Sequence, residues 1–356
     1  MSKWPHRSLW WSRSVSVLAA IGLGLGLATV PASATPPGPP TLALDRFSDR
    51  PAPPLDPAGT VAPQVVNINT NFGFNNAVGA GTGFVIDPGG VVLTNNHVIS
   101  GATDISVFAV GNGQTYAADV VGYDRSQDVA VLQLRGGGGL PSAALGGGVA
   151  VGESVTALGN TGGQGGAPSV MPGRVVAVNQ TVHASDTLTG AEETLNGLIQ
   201  FEAPIKPGDS GGPIVNNGGQ VVGMTTAATD SFKMSSGQGF AIPIGHAMGV
   251  AGSIRGGGGS PTVHVGPTAF LGLGVVDNNG SGARIERVVG SGPAAGAGMN
   301  PGDVITSVDG APINSATAMA DVLVPHHPGD NVAITYRAKS GGDRTVNVTL
   351  MDGPPA

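Results

Sequence analysis

The chain has 356 residues, a length that suits about two domains with accessory segments, and it carries 16 basic against 23 acidic residues for a net charge of -7. That balance, with no cluster of Lys and Arg, argues against a nucleic-acid partner, and the lack of Cys excludes disulfides, thiol chemistry and Cys-based zinc sites. Hydrophobic residues make up 40% of the chain but aromatics only 4%; with 61 Gly and 28 Pro, this predicts many turns and β structure rather than helical bundles.

At the N-terminus, Lys3, Arg7 and Arg13 precede an apolar run from Val15 to Val30, which is followed by the small residues Ala32-Ser33-Ala34. Residues 1–34 therefore read as a secretory signal peptide. The run is short for an uncleaved anchor, which needs about 20 apolar residues. Without this segment 13 basic residues face 23 acidic ones, a net charge of -10, and the expected location is secreted or in the cell envelope. Residues 35–60, dense in Pro, are expected to form an extended tether.

From Val61 the sequence changes to short apolar runs broken by Gly, Asn and Asp. V-V-N-I-N, G-F-V-I, V-V-L-T, D-I-S-V-F-A-V and D-V-A-V-L-Q-L alternate as strands of an antiparallel unit. A second set follows Gly152: S-V-T-A-L-G, G-R-V-V-A-V, G-L-I-Q-F, G-Q-V-V-G-M-T-T and G-F-A-I-P. Two barrels of about six strands each are expected, closed by a helix over Ile244 to Ile254 and filling residues 61–254. Residues 255–266 form a Gly-rich linker that should keep the next module near without fixing its orientation. Residues 267–356 hold five short strands and a helix from Ser315 to Val324, enough for one small α+β module. The fold class is mainly β.

The chemistry centres on Gly208-Asp209-Ser210-Gly211-Gly212-Pro213. A weak alcohol nucleophile needs backbone N–H groups aimed at the oxygen of its tetrahedral intermediate, and Gly lets the backbone turn tightly beside the serine. His97, in L-T-N-N-H-V-I just past a strand end, is the candidate base. Asp128 precedes an alternating strand, where its carboxylate can hold the imidazole tautomer; it is preferred over Asp124, which suits a turn cap. No Gly run has the spacing of a phosphate loop, no H-E-x-x-H exists, and His326-His327 sit in a turn-like P-H-H-P-G, so no metal and no cofactor are expected.

The order His97, Asp128, Ser210, within T-N-N-H-V-I, Q-D-V-A-V-L and G-D-S-G-G-P, resembles the HtrA (Deg) branch of chymotrypsin-fold serine proteases and, within it, secreted mycobacterial members. The likeness runs over nearly the whole chain. It implies a triad set on two perpendicular β-barrels, an oxyanion hole from the N–H groups of Gly208 and Ser210, and a C-terminal PDZ domain. F-L-G-L, Phe270, Leu271, Gly272 and Leu273, matches the family's carboxylate-binding loop, which implies binding of peptide C-termini. Unfolded or damaged proteins as substrates and a homo-oligomer, a trimer by resemblance, follow from the same likeness. The residue six before the nucleophile lies near the floor of the primary pocket in this fold; here Pro204, flanked by Ala203 and Ile205, implies a preference for small or medium aliphatic residues. Lys206 or the loop from Thr225 to Ser236 can reshape that pocket.

Two departures matter. Many HtrA proteins carry Asn before the nucleophile, whereas this chain has Asp209, as in digestive trypsins. There the carboxylate pairs with a new N-terminal ammonium after zymogen cleavage, and no R-I-V-G-G-like activation site is visible here, so Asp209 must find another partner or solvent. The segment Asn71 to Ala80 is short where several family members carry a long regulatory loop, so regulation through it does not carry over. In the resembled family a loop of the second barrel can sense the PDZ domain or its bound peptide; the matching stretch here is Asn179 to Asn196, with Glu192-Glu193, and the alternative is a PDZ domain that only delivers substrate. The competing reading from another class is a peptide-binding, chaperone-like protein with little or no proteolysis.

Overall fold

The computed structural model describes residues 56–74, 76–185, 192–226 and 237–356. The signal segment and nearly all of the expected tether lie outside the described residues, as does most of the loop from Thr225 to Ser236. The last four residues of the expected tether, with Val61, form a short helix, α1 (Pro57–Val61), with proline at its start, where a missing N–H costs nothing.

The first barrel contains β1 (Val65–Phe72), β2 (Ala77–Asp87), β3 (Val91–Thr94), the single turn α2 (Asn96–Ile99), β4 (Asp104–Ala109), β5 (Gln114–Asp124) and β6 (Val129–Leu134). Strand order β5-β4-β1-β2-β3-β6, closed by pairing of β5 with β6, makes a six-stranded barrel. The expected five runs are all strands; β5 is the addition. The second barrel holds β7 (Ser154–Gly159), β8 (Ser169–Ser185), β9 (Glu192–Glu202), β10 (Pro213–Val215), β11 (Val221–Thr226) and β12 (Gln238–Pro243), closed in the order β10-β11-β12-β9-β8-β7. α3 (Ile244–Arg255) follows.

Both faces of the central strands are buried, which explains why V-V-L-T is continuously apolar rather than alternating. On one face Val66, Ile68, Val85, Val92 and Leu132 fill the first barrel. On the other Val65, Phe84, Leu93 and Val131 meet Leu158, Met224 and Ile242 of the second barrel and Ile244, Ala247 and Ala251 of α3. Each such side chain, fully withdrawn from water, contributes about 1.5–3 kcal/mol, so the seam between the barrels is as much core as either interior. Loops at this seam are held by two rigid bodies.

The C-terminal module comprises β14 (Thr268–Phe270), β15 (Leu273–Asp277), β16 (Ala283–Val288), α4 (Pro293–Gly296), β17 (Val304–Val308), β18 (Ala311–Pro312), α5 (Ala316–Leu323), β19 (Asn331–Arg337), β20 (Asp343–Thr349) and β21 (Met351–Gly353). Ser315 starts α5 by accepting the Ala318 N–H at 3.0 Å. The main sheet runs β15-β16-β17-β19-β20, leaving β15 at an edge beside α5. Before it, β13 (Val263–Val265) pairs with β5 of the first barrel. The C-terminal end of the expected linker is thus a strand of the barrel sheet, contrary to a freely oriented tether. Buried His264 in this strand stacks on Tyr123 and lies 2.6 Å from the Val324 carbonyl at the end of α5. Arg125 pairs with Asp321 of α5 at 2.9 Å.

Candidate active site

The glycines of the nucleophile loop are dictated by close approach. Gly208 has φ +97°, and a Cβ there would run into the Asn160 carbonyl; one at Gly211, φ +82°, would strike the Thr82 carbonyl. Ser210, 5% exposed, accepts the Thr82 N–H at 2.8 Å through its carbonyl. Beyond it, Gly211 N–H donates to the Thr225 carbonyl and Thr225 N–H to the Gly212 carbonyl, both at 2.7 Å, so the loop runs straight into the β10–β11 pairing.

His97 sits in α2, immediately after β3. Its backbone N–H donates to Asp128 Oδ1 at 3.0 Å, and its Nδ1 lies 3.0 and 2.9 Å from Oδ1 and Oδ2. An ionised carboxylate only accepts, so in this pairing Nδ1 is the donor. Asp128 is 2% exposed and has φ +52°, a left-handed conformation that Asp tolerates better than most residues. Thr226 donates its hydroxyl to Asp128 Oδ2 at 3.0 Å, and Asn95 its side-chain amide to the Asp128 carbonyl at 2.9 Å. Asp124 stays apart from His97: it accepts Ser126 Oγ at 2.8 Å and the Gln127 N–H at 3.3 Å, closing the turn that presents Asp128.

Thr82 joins the two halves. Its N–H serves Ser210, its carbonyl accepts the Thr94 hydroxyl at 2.7 Å three residues before His97, and its own hydroxyl donates to the Gly208 carbonyl at 2.6 Å. Next to it, Gly162 N–H donates to the Pro207 carbonyl at 2.8 Å. Asp209, 1% exposed, accepts the Thr161 hydroxyl at 2.7 Å and the Lys206 N–H at 2.8 Å. Burial pushes its pKa above the usual carboxylate value, outweighing those two bonds and the nearby Lys206 charge.

Of the pocket candidates, Ala203 is buried and takes its N–H to the Gly237 carbonyl at 3.0 Å, Pro204 is exposed, and Ile205 is half-buried against the second barrel's core. The side chain of Ile205 occupies the space beside Gly239, where a Cβ would meet it at 2.7 Å. In the C-terminal module, Leu271 is buried, and Gly272, φ +80°, turns the chain into Leu273 at the head of β15. Phe270 ends β14, and its ring stacks on Phe74 of the β1–β2 hairpin with centroids 5.1 Å apart; Arg287 donates to the Phe74 carbonyl at 2.7 Å. The short segment Asn71 to Ala80 therefore touches the module. The stretch Asn179 to Asn196 forms the facing arms of β8 and β9, with Thr181 bonded to Asn196 at 2.8 Å, and its residues 186–191 lie outside the described residues.

Sequence reasoning missed Thr82, Thr161 and Thr226. Only Thr82 had a local signal. It lies in G-T-G, and Cβ atoms at Gly81 and Gly83 would clash with Val98 and with Val92 and the Leu93 carbonyl, which marks close strand packing.

Residues 81–224 match a trypsin-like peptidase domain and residues 269–350 a PDZ domain. The chain is 34% identical over 313 residues to serine protease PepD of Mycobacterium tuberculosis, covering 82% of this chain and 65% of that one. It is 31% identical over 293 residues to the Synechocystis protein named serine protease HhoA, covering 77% of this chain and 70% of that one. The chain thus spans about two thirds of the length of these curated relatives. Among solved structures, a serine-to-alanine variant of the HtrA-type protease AlgW with a tripeptide superposes with a TM-score of 0.50 at 28% identity, covering 84% of this chain and 97% of that one. Two barrels meeting at a His97–Asp128 pair and a G-D-S-G-G-P loop, followed in the chain by a PDZ module, agree with these matches, and the chain belongs to the HtrA family of trypsin-like serine proteases.

Proposed function

We propose that this protein is an exported serine endopeptidase that cleaves unfolded or damaged proteins outside the cytoplasm. Ser210 Oγ attacks the scissile carbonyl while His97 Nε2 takes its proton and returns it to the leaving amine. Asp128 holds the imidazole in that tautomer, and the N–H groups of Gly208 and Ser210 receive the developing oxyanion. Water then repeats the cycle on the acyl-enzyme. The observation that carries this reading is the Asp128 carboxylate, buried and accepting His97 through both its backbone N–H and Nδ1. Ala203, Pro204 and Ile205 line a primary pocket without an acidic floor, which favours small or medium aliphatic residues over Arg and Lys. Substrate C-termini bind the main chain of Phe270 to Leu273 and add as a strand to the β15 edge. Export through residues 1–34 fits a DegP-like relative in Halomonas elongata whose name places it in the periplasm. Assembly as a homo-oligomer, a trimer, is part of the same reading.

The test is Ser210→Ala. Hydrolysis of a denatured protein should fall by several orders of magnitude with the fold intact, because nucleophile and base act as one unit. A fluorophosphonate probe should label the parent and not the variant. Full cleavage by pure Ser210→Ala protein would overturn the proposal, and a parent that binds unfolded chains without cleaving them or taking the probe would favour a chaperone-like role.

A further inference from the structure

Three consecutive residues before Ser210 are each pinned by a different donor. Pro207 gives its carbonyl to Gly162 N–H at 2.8 Å, Gly208 its carbonyl to the Thr82 hydroxyl at 2.6 Å, and Asp209 its carboxylate to the Thr161 hydroxyl at 2.7 Å. The carbonyl and the following N–H of a trans peptide point in opposite directions, and the chain has no cis bond. Holding the Pro207 carbonyl on Gly162 therefore points the Gly208 N–H away from the 160–163 turn. That N–H has no acceptor among the described residues.

The turn that performs this is anchored to the nucleophile loop by one side chain. Asp209 has no ion-pair partner among the described residues; its carboxylate is met by a hydroxyl and a backbone N–H instead of an ammonium. It lies over Gly159, where a Cβ would collide with Oδ1, so the carboxylate is seated against the strand end that leads into Thr161. We propose that Thr161 is a positioning residue for peptide-bond hydrolysis: its bond to Asp209 fixes the 160–163 turn on the Lys206 to Ser210 loop, and so fixes the direction of the Gly208 N–H. The inference rests on the serine-protease reading above. In this arrangement the loop is set by folding alone, with no cleaved N-terminus needed to complete the buried carboxylate's contacts.

The experiment compares Thr161→Val, which keeps shape and loses the donor, with Thr161→Ser, which restores it. The side chain also lies 4.0 Å from the Met171 sulfur, a contact that a methyl group tolerates. On a short chromogenic peptide, Thr161→Val should lower kcat at least about tenfold with KM within about twofold, since oxyanion donors act in the transition state. Affinity for a peptide aldehyde, whose adduct places an oxygen in the same hole, should fall in proportion. Thr161→Ser should recover most of both. Unchanged kcat in Thr161→Val, a loss of kcat without loss of aldehyde affinity, or Thr161→Ser as impaired as Thr161→Val would each overturn the proposal. Should Thr161→Val not fold, as read by thermal melting, Thr161→Ala against Thr161→Ser carries the same comparison. Parent and Ser210→Ala proteins run alongside. A parent no faster than Ser210→Ala removes the protease reading itself and the positioning role with it, whereas an active parent beside an unaffected Thr161→Val removes the positioning role alone.

Discussion

Asp128 and Asp209 are both nearly inaccessible carboxylates, one paired with His97 and the other next to Ser210 in the chain, yet they are solvated in different ways. Asp128 receives a ring N–H, a backbone N–H and a hydroxyl, and one of those donors is the proposed base. Among the described residues Asp209 receives only a hydroxyl and a backbone N–H, and burial wins, raising its pKa. In the proposed mechanism the first carboxylate orients a side chain that moves protons and the second orients backbone. Burial alone therefore does not tell what a carboxylate near a nucleophile does. The donors around it do.

The largest effect that would test this contrast is at Asp128. Asp128→Asn offers an amide where the imidazole needs an acceptor, so His97 turns to the wrong tautomer, and kcat should fall by about 10³–10⁴ with the fold retained. A drop below tenfold in peptide hydrolysis would put the orienting role elsewhere, with Asp124→Asn as the control expected to leave kcat within about threefold. The next effect is at Thr226. Thr226→Val strips Asp128 of one donor in a buried setting, a loss worth about 1–3 kcal/mol, and should lower kcat/KM roughly tenfold while Thr226→Ser restores it. Equal activity in the Val variant would show that two donors from His97 suffice.

Asp209 sharpens the comparison through pH. Between the ordinary carboxylate pKa and its own raised one, the folded protein binds more protons at this site than the unfolded chain does, so stability falls as pH rises through that window. Asp209→Asn cannot titrate. Its melting temperature relative to the parent should climb as pH rises through the window and level off above it; an offset independent of pH would contradict the assignment. The smallest effect belongs to an exposed carboxylate. The hydrogen bond and charge of Arg135 hold Asp119 below its usual pKa, and that stability is present at neutral pH and lost as pH falls through the lowered value. With both side chains more than half exposed, 66% and 52%, solvent screening leaves Asp119→Asn a cost of about 1 kcal/mol or less in urea unfolding, and none in acid.

What could be read from the sequence was local. A period-2 run such as D-I-S-V-F-A-V marked β4 because alternation is a property of the strand itself. A serine among glycines, a histidine after a strand and an acid before one could be ranked by chemistry and order. β5 escaped because its first eight residues are exposed or half-buried, and Ala117 on the exposed side beside Ala118 on the half-buried side leaves no apolar–polar alternation to read. Three-residue strands such as β10, β13 and β21 carry too few residues for a period and exist because a partner strand accepts their hydrogen bonds.

The amino-acid sequence by itself determined the two barrels, the small module after them and the residue types for acyl transfer, since each depends on patterns within a few neighbouring positions. Only the tertiary structure decided which hydroxyl meets which carboxylate. Thr226 reaches Asp128 across 98 residues of chain, Thr161 reaches Asp209 across 48, and Thr82 reaches Gly208 across 126. Apart from the G-T-G around Thr82, which marks close packing and not the partner, these threonines bear no mark of it in their own neighbourhood. Each acquires its partner when packing of the apolar seam excludes water and leaves a buried oxygen that must be given a donor.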